Sequence, residues 1–238
     1  MPREDRPYAA RWQQFRRLNH TQDSLASDRR GLRRWLLMPY ITFIIPIEEP
    51  GVVAQLTQWQ EALRPWLPYD PQPTDRFHIS VHYVGGLREK PWLWLPQTWR
   101  RAALPALVER AHHALKGLSC FEIQIGPLNA FPNVLITEVQ DEQECLRVLR
   151  ARLRRSLPLR ARPPSPWPYL PHVTLGYWGE QPTAPIVKAI APFRKAAPMT
   201  LNITSVQLTI YSLGAVPLHP DVLLTAREEI VAEFALQE

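Results

Sequence analysis

Two segments of the chain, His78-Ile-Ser-Val-His-Tyr-Val-Gly85 and His172-Val-Thr-Leu-Gly-Tyr-Trp-Gly179, carry the same pattern of chemistry-bearing residues. Each opens with a histidine, places a hydroxyl two residues later and ends in an aromatic-containing stretch closed by glycine. In an extended strand, residues i and i+2 point to one face, so each imidazole shares a face with its hydroxyl. Ile79, Val81, Val173 and Leu175 then turn to the opposite, apolar side. Two imidazoles titrating near neutral pH supply a base and an acid, and two hydroxyls supply donors for phosphate oxygens. That set suits breaking a phosphodiester, with His78 and His172 as the proton-transfer pair and Ser80 and Thr174 as phosphate-binding groups.

A lone His-x-Ser or His-x-Thr triplet carries little weight. The surrounding elements carry more. Ile41-Thr42 lies in the apolar run 40–47, followed by a helix-like stretch over 52–66; Ile136-Thr137 lies in the run 134–139, followed by a helix-like stretch over 142–157. The first pair precedes its histidine by 37 residues (41 to 78) and the second by 36 (136 to 172). Strand, helix and histidine strand therefore occur twice, the signature of an internal duplication. Equivalent lobes place equivalent motifs opposite one another. Proline-rich approaches at 65–73 and 163–168 precede both histidine strands and favour extended backbone there.

The 238 residues suffice for one large domain or two closely packed lobes, and 45% hydrophobic with 21% charged residues describes a globular chain. The formal charge of +6 is uneven: residues 1–37 hold nine arginines against four acidic residues, +5 of the total. The remainder is nearly neutral, which excludes a protein that coats nucleic acid over its whole surface. Residues 1–37 read as a basic extension, partly helical, with Trp12, Phe15, Leu18 and Trp35 among the arginines, able either to touch RNA phosphates or to pack on the body. Residues 38–238 read as the bilobal domain. The apolar run after Arg33-Arg34 is broken by Pro39 and Pro46 and aligns with a core strand, so it reads as neither an export signal nor a membrane span. Cys120 and Cys145 make no disulfide framework; they read as buried thiols in a reducing, cytoplasmic setting.

Further along, the pattern predicts a helix over 98–116, strands over 120–125 and 134–139, and a helix started by Asp141. That helix carries Arg150, Arg152, Arg154 and Arg155 toward its C-terminal end, where they complement the dipole. A helix over 185–195, strands over 201–211 and 221–226, and a short helix or tail over 228–236 complete the chain. His82 is expected on the face of His78, as an additional cleft residue. Strict alternation turns Tyr83 and Tyr177 away from that face unless the strands bulge. Trp92, Trp94 and Trp178 are candidate stacking residues; His20, His112, His113 and His219 receive no assignment.

The paired motifs, the leading strand over 40–46 and the turn Gly126-Pro-Leu-Asn-Ala-Phe-Pro132 resemble the two-histidine phosphoesterase superfamily, in its 2′-5′ RNA ligase or RNA 2′,3′-cyclic phosphodiesterase branch. The resemblance covers about residues 38–226. It implies an α+β fold of duplicated strand–helix–strand lobes, with mainly antiparallel sheets facing across a central cleft. It also implies an enzyme that opens 2′,3′-cyclic phosphate ends of RNA and cuts or joins 2′,5′ linkages, with no metal or cofactor. Close relatives carry an arginine for the phosphate at the position of Tyr177, a further candidate cleft residue. The alternatives are a phosphodiesterase of small cyclic nucleotides or ADP-ribose cyclic phosphate, and a non-catalytic RNA-binding protein. A self-contained cleft predicts a monomer, and nothing in the sequence calls for a membrane.

Overall fold

The computed structural model describes residues 5–23, 39–69, 71–88, 98–157, 169–212 and 227–237. The sheet begins with β1 (Tyr40–Pro46), whose central five residues are all buried, as a Phe- and Ile-rich run covered on both faces must be. Helix α2 (Pro50–Ala62) follows; Pro50 occupies its first turn and the Glu49 carboxylate accepts from the Val52 N–H at 2.6 Å. The first histidine strand is β2 (His78–Arg88), paired antiparallel to β1 from His78 to Gly86.

The second copy runs β5 (Val134–Gln140), α4 (Cys145–Ser156) and β6 (His172–Tyr177). Asp141 starts α4 from four residues ahead, its carboxylate accepting from the N–H groups of Cys145 (2.9 Å) and Leu146 (2.7 Å). Leu146, Leu149 and Leu153 form the buried stripe of α4. The first helix of the chain is α1 (Asp5–Arg16). The other elements are β3 (Thr98–Arg100), α3 (Leu104–Leu115), β4 (Phe121–Phe131), α5 (Thr183–Ile190), β7 (Met199–Ile203), β8 (Ser205–Ser212) and β9 (Arg227–Ala235).

The strands form one nine-stranded sheet in the order β7-β4-β5-β6-β2-β1-β8-β9, with β3 beside β2 in parallel. Four strands on either side of the β6–β2 join make the two lobes of this mixed helix and antiparallel-sheet fold. The sheet has to curl: β7 and β8 lie far apart in strand order, yet only Thr204 separates them in sequence. Consistent with that, Gln237 just beyond β9 bridges Ser119 just ahead of β4. Each helix crosses to the other lobe's histidine strand, α2 packing on β6 and α4 on β2.

The structure corrects several sequence expectations. The run 201–211 is two strands in different lobes; Ile203 pairs with Phe121 and Ser205 with Ala235. Residues 227–235 form a strand because the free edge of β8 offers a full ladder of hydrogen bonds, which outweighs local propensity. Residues 98–100 are strand, and α3 starts only at Leu104, with Pro105 in its first turn. Pro192 confines α5 to Thr183–Ile190 and leaves a 3₁₀ turn after it. Both cysteines are half-buried and free. Trp35, Trp92, Trp94, the second proline-rich approach, His219 and the strand expected over 221–226 lie outside the described residues.

Candidate active site

The lobes meet at a single antiparallel pair, Ile79 opposite Val173. These are the central residues of the two triplets, so the join places the two motifs side by side in opposite directions. His78 faces the end of the second triplet that bears Thr174, and Ser80 the end that bears His172. Ile79 and Val173 are fully buried, while His78, His172 and Thr174 are half-buried and Ser80 is exposed. A cleft of about 720 Å³ lies along this join, bordered by His78, Ser80 and His172. Thr174 does not border it and sits in register with Ile136 on β5.

Both imidazoles are held alike. His78 Nδ1 lies 2.9 Å from the carbonyl oxygen of Arg76, and His172 Nδ1 lies 2.9 Å from that of Leu170. A carbonyl accepts only, so each Nδ1 carries the proton and each Nε2 is left as the reactive nitrogen. Burial pushes both pKa values below the ordinary histidine value, and the charge of His78 lowers that of His172 a little further. The pair therefore holds one proton far more readily than two. Aromatic rings brace both sides: Tyr211 is 5.8 Å from His78, and Phe131 packs edge-on to His172 at 5.1 Å. Tyr211 pairs with the first residue of β1 and Phe131 with the first of β5, so this bracing is duplicated too.

Bulges decide where the neighbouring residues point. On β2 the register skips Val81 and Val84, so Ser80 pairs with Ile44, His82 with Phe43 and Tyr83 with Thr42. Each skip reverses the alternation. His82 thereby leaves the face of His78: its ring stacks with buried Phe43 at 6.4 Å, and its Nε2 donates to the Leu157 carbonyl at 2.9 Å. Burial, then the charges of Arg150 and Arg154, bring its pKa down to about 4. The sequence expectation of a third imidazole beside His78 does not survive this geometry, although His82 still touches the cleft's edge. Conversely, Tyr83 turns into the cleft, 5.9 Å from Tyr40, which stacks on Tyr211 at 5.3 Å. A bulge on β6 after Thr174 likewise reverses the alternation, and Tyr177 raises the Tyr40 pKa behind burial, the larger cause, but Tyr177 is not among the residues bordering the cleft. Trp178 is fully buried in the core.

Residues to which the sequence gave no part in the site support the motifs. Arg150 Nε donates to the Val81 carbonyl at 3.0 Å, and Gln60 Nε2 donates to the Leu175 carbonyl at 2.6 Å. Val81 and Leu175 occupy the same place in the two motifs, so each crossing helix ties down the other lobe's bulge. Tyr169 donates to the Ser80 carbonyl at 2.9 Å and lies under the Arg150 guanidinium at 4.3 Å. The bulges left no local signal. The correspondence of Gln60 with Arg150 was visible only as two helices of similar placement. Among the described residues, no three His, Cys, Asp or Glu side chains gather as metal ligands.

The two lobes thus contribute matched imidazoles across one strand join. The 2′-5′ RNA ligase superfamily model matches residues 54–215, and the chain belongs to that family. Among solved structures, TT0787 of Thermus thermophilus is similar at 18% identity and TM-score 0.53, over 83% of this chain and 98% of that one. E. coli LigT complexed with 3′-AMP matches at 15% identity and TM-score 0.55, over 84% of this chain and 99% of that one. LigT complexed with ATP gives 14% identity and TM-score 0.54 over the same shares. At these identities the likeness is one of fold. No curated protein matches the chain. Among the described residues, no helix is long and apolar enough to cross a membrane.

Proposed function

We propose that the protein opens 2′,3′-cyclic phosphate ends of RNA by acid–base catalysis between His78 and His172. The observation that carries this reading is the matched presentation of the two imidazoles, each with Nδ1 tied to a carbonyl two residues earlier. In the competent state the pair holds one proton. The neutral imidazole takes a proton from water through Nε2 as the water attacks phosphorus. The protonated one delivers its Nε2 proton to the departing ribose oxygen. One P–O bond forms, one breaks, and a phosphomonoester with a free hydroxyl results. Ser80, which borders the cleft, donates to the non-bridging oxygens and holds the phosphorus in line. These three groups cover proton transfer and charge stabilisation, so the proposed reaction calls for no metal.

The tyrosines at the lobe-one end of the cleft suit an unpaired base, which proteins read largely by stacking. The adenine nucleotides bound by LigT are compatible with such a base site. The test is an RNA oligomer ending in a 2′,3′-cyclic phosphate, incubated with the protein in the presence of a chelator. Ring opening by the parent is expected, with loss in His78→Ala and His172→Ala. No opening by folded parent protein overturns the reading. Turnover of small cyclic nucleotides alone would move the substrate to that class. RNA binding indifferent to both substitutions would make the chain a binder.

A further inference from the structure

The helix α1 lies wholly outside residues 54–215, the stretch the family model covers, yet it forms a wall of the cleft. It and the residues after it dock along the second histidine motif. Phe15 is fully buried and stacks on Trp178 at 6.3 Å. Beyond the helix, the Thr21 hydroxyl donates to the Gly179 carbonyl, and the Thr183 N–H donates to the Asn19 carbonyl at 3.0 Å. At the other end of the motif stands Tyr8, buried, with its carbonyl accepting from Asn129 Nδ2 at 3.1 Å.

The lobes differ at the residue just before each histidine. In lobe one the ladder runs on past the pair Pro46–His78, and the Ile47 N–H donates directly to the Phe77 carbonyl at 2.9 Å. The corresponding step in lobe two lies past the pair Glu138–His172, where Val139 would meet Pro171. Proline has no N–H, so this pair cannot close with two main-chain bonds. Tyr8 fills the place. The Val139 N–H donates to its oxygen at 3.1 Å, and its hydroxyl is directed at the carbonyls of Val139 (2.8 Å) and Pro171. Burial, above all, raises the Tyr8 pKa beyond the ordinary tyrosine value, so the hydroxyl keeps its proton at any working pH.

We propose that Tyr8 is a positioning residue for His172. Its hydroxyl, inserted into the ladder at Pro171, fixes the approach to β6 and so holds the neighbouring Leu170 carbonyl against His172 Nδ1. With that carbonyl in place the ring proton sits on Nδ1, and Nε2 is free to accept. Without it, the neutral ring can carry its proton on Nε2, which then accepts none, and the imidazolium loses an acceptor that stabilises it. Lobe one reaches the same end with main chain alone, through Ile47 at Phe77 and the Arg76 carbonyl on His78. This deepens the reading under Proposed function and rests on it for the effect on turnover; the tautomer of His172 does not depend on the substrate.

The test is Tyr8→Phe, which keeps the buried ring and deletes only the hydroxyl. It is read by NMR of the histidine ring nitrogens at neutral pH and by kinetics on an RNA oligomer ending in a 2′,3′-cyclic phosphate. The parent is expected to hold both His78 and His172 as Nδ1–H tautomers. In Tyr8→Phe, His172 should become a mixture of tautomers with His78 unchanged, and kcat should fall about tenfold, the scale of one hydrogen bond, at nearly constant KM. Placing 4-aminophenylalanine at position 8 returns a donor and should recover the tautomer and most of kcat. Thr21→Val, at the other end of the motif, loosens the docking and should lower Tm while leaving the tautomer and kcat at parental values. An unchanged His172 tautomer in Tyr8→Phe, or the same shift in Thr21→Val, overturns the positioning role and leaves the catalytic reading intact. Should Tyr8→Phe not fold, the amino variant decides, since its altered donor must move the ring signals of His172 and not those of His78; unmoved His172 signals overturn the role. Inactivity of the folded parent removes the catalytic reading, and the tautomer comparison still decides whether Tyr8 sets the ring.

Discussion

The two lobes present the same imidazole in the same way but surround it differently. Lobe one sets His78 beside Tyr211, Tyr40 and Tyr83 and leaves Ser80 exposed at the cleft. Lobe two sets His172 beside Phe131, withdraws Thr174 from the cleft and adds α1 as an outer wall. The position after the first bulge is His82 in lobe one and Gly176 in lobe two. Strand pairing and the crossing helices preserve the machinery symmetrically. The residues bordering it have diverged, as expected where two halves of a cleft must bind different parts of one substrate.

The largest expected effect tests what the lobes share. His78→Ala and His172→Ala should each lower kcat/KM by about 10²–10⁴-fold with binding of the monoester product retained. A variant that keeps near-parental turnover would break the equivalence of the lobes. The acid limb of the pH–rate profile should also lie below the ordinary histidine pKa, because burial depresses both groups; a limb above pH 6.5 would contradict the buried environments.

A smaller effect belongs to lobe one alone. With a folded pKa of about 4 against an unfolded value near 6.5, His82 is neutral in both states above pH 7 and contributes no pH dependence there. As pH falls through 6.5 the unfolded chain binds the proton first, so stability declines, by about 3 kcal/mol at pH 4, and levels off below the folded pKa. His82→Phe loses a hydrogen bond worth about 1 kcal/mol at pH 7 but should flatten the decline in Tm between pH 7 and 5. An equally steep decline would show that His82 does not carry it.

The hydroxyls should separate the lobes further. Ser80 borders the cleft and Thr174 does not, so Ser80→Ala should cost about tenfold in kcat/KM, the scale of one hydrogen bond, and Thr174→Ala less. The reverse order would mean that the phosphate seats against lobe two. Smallest of all, Gly176→Ala should lower stability by about 1 kcal/mol, because its new methyl would stand 2.8 Å from Leu67 Cδ1, the movable end of a side chain. Thermal denaturation with no loss would show that Leu67 simply shifts.

Much of the site was legible because a duplicated motif marks itself. His78, Ser80, His172 and Thr174 could be paired from spacing alone, and the repeated strand–helix–strand order foretold the two lobes. The finer alignment of Ile41-Thr42 with Ile136-Thr137 was not reliable: Thr137 pairs with Val173 beside the second histidine, whereas Thr42 pairs with Tyr83, five residues past the first. Alternation fails at a bulge, which no residue type announces here, and so His82 and Tyr83 exchanged faces. Residues 201–211 read as one strand because every local preference favours extended backbone; only the partners available to each half divide it.

By itself, the sequence determined which groups can do chemistry and that there are two copies of them. Periodicity and residue type are local properties, and the motifs are local. Tertiary structure alone decided that Ile79 meets Val173, that each lobe's helix braces the other's bulge, and that α1 walls the cleft. Those outcomes depend on where hydrogen-bonding edges and apolar faces find partners across the whole chain, and residues far apart in sequence carry no local mark of the neighbours they will meet.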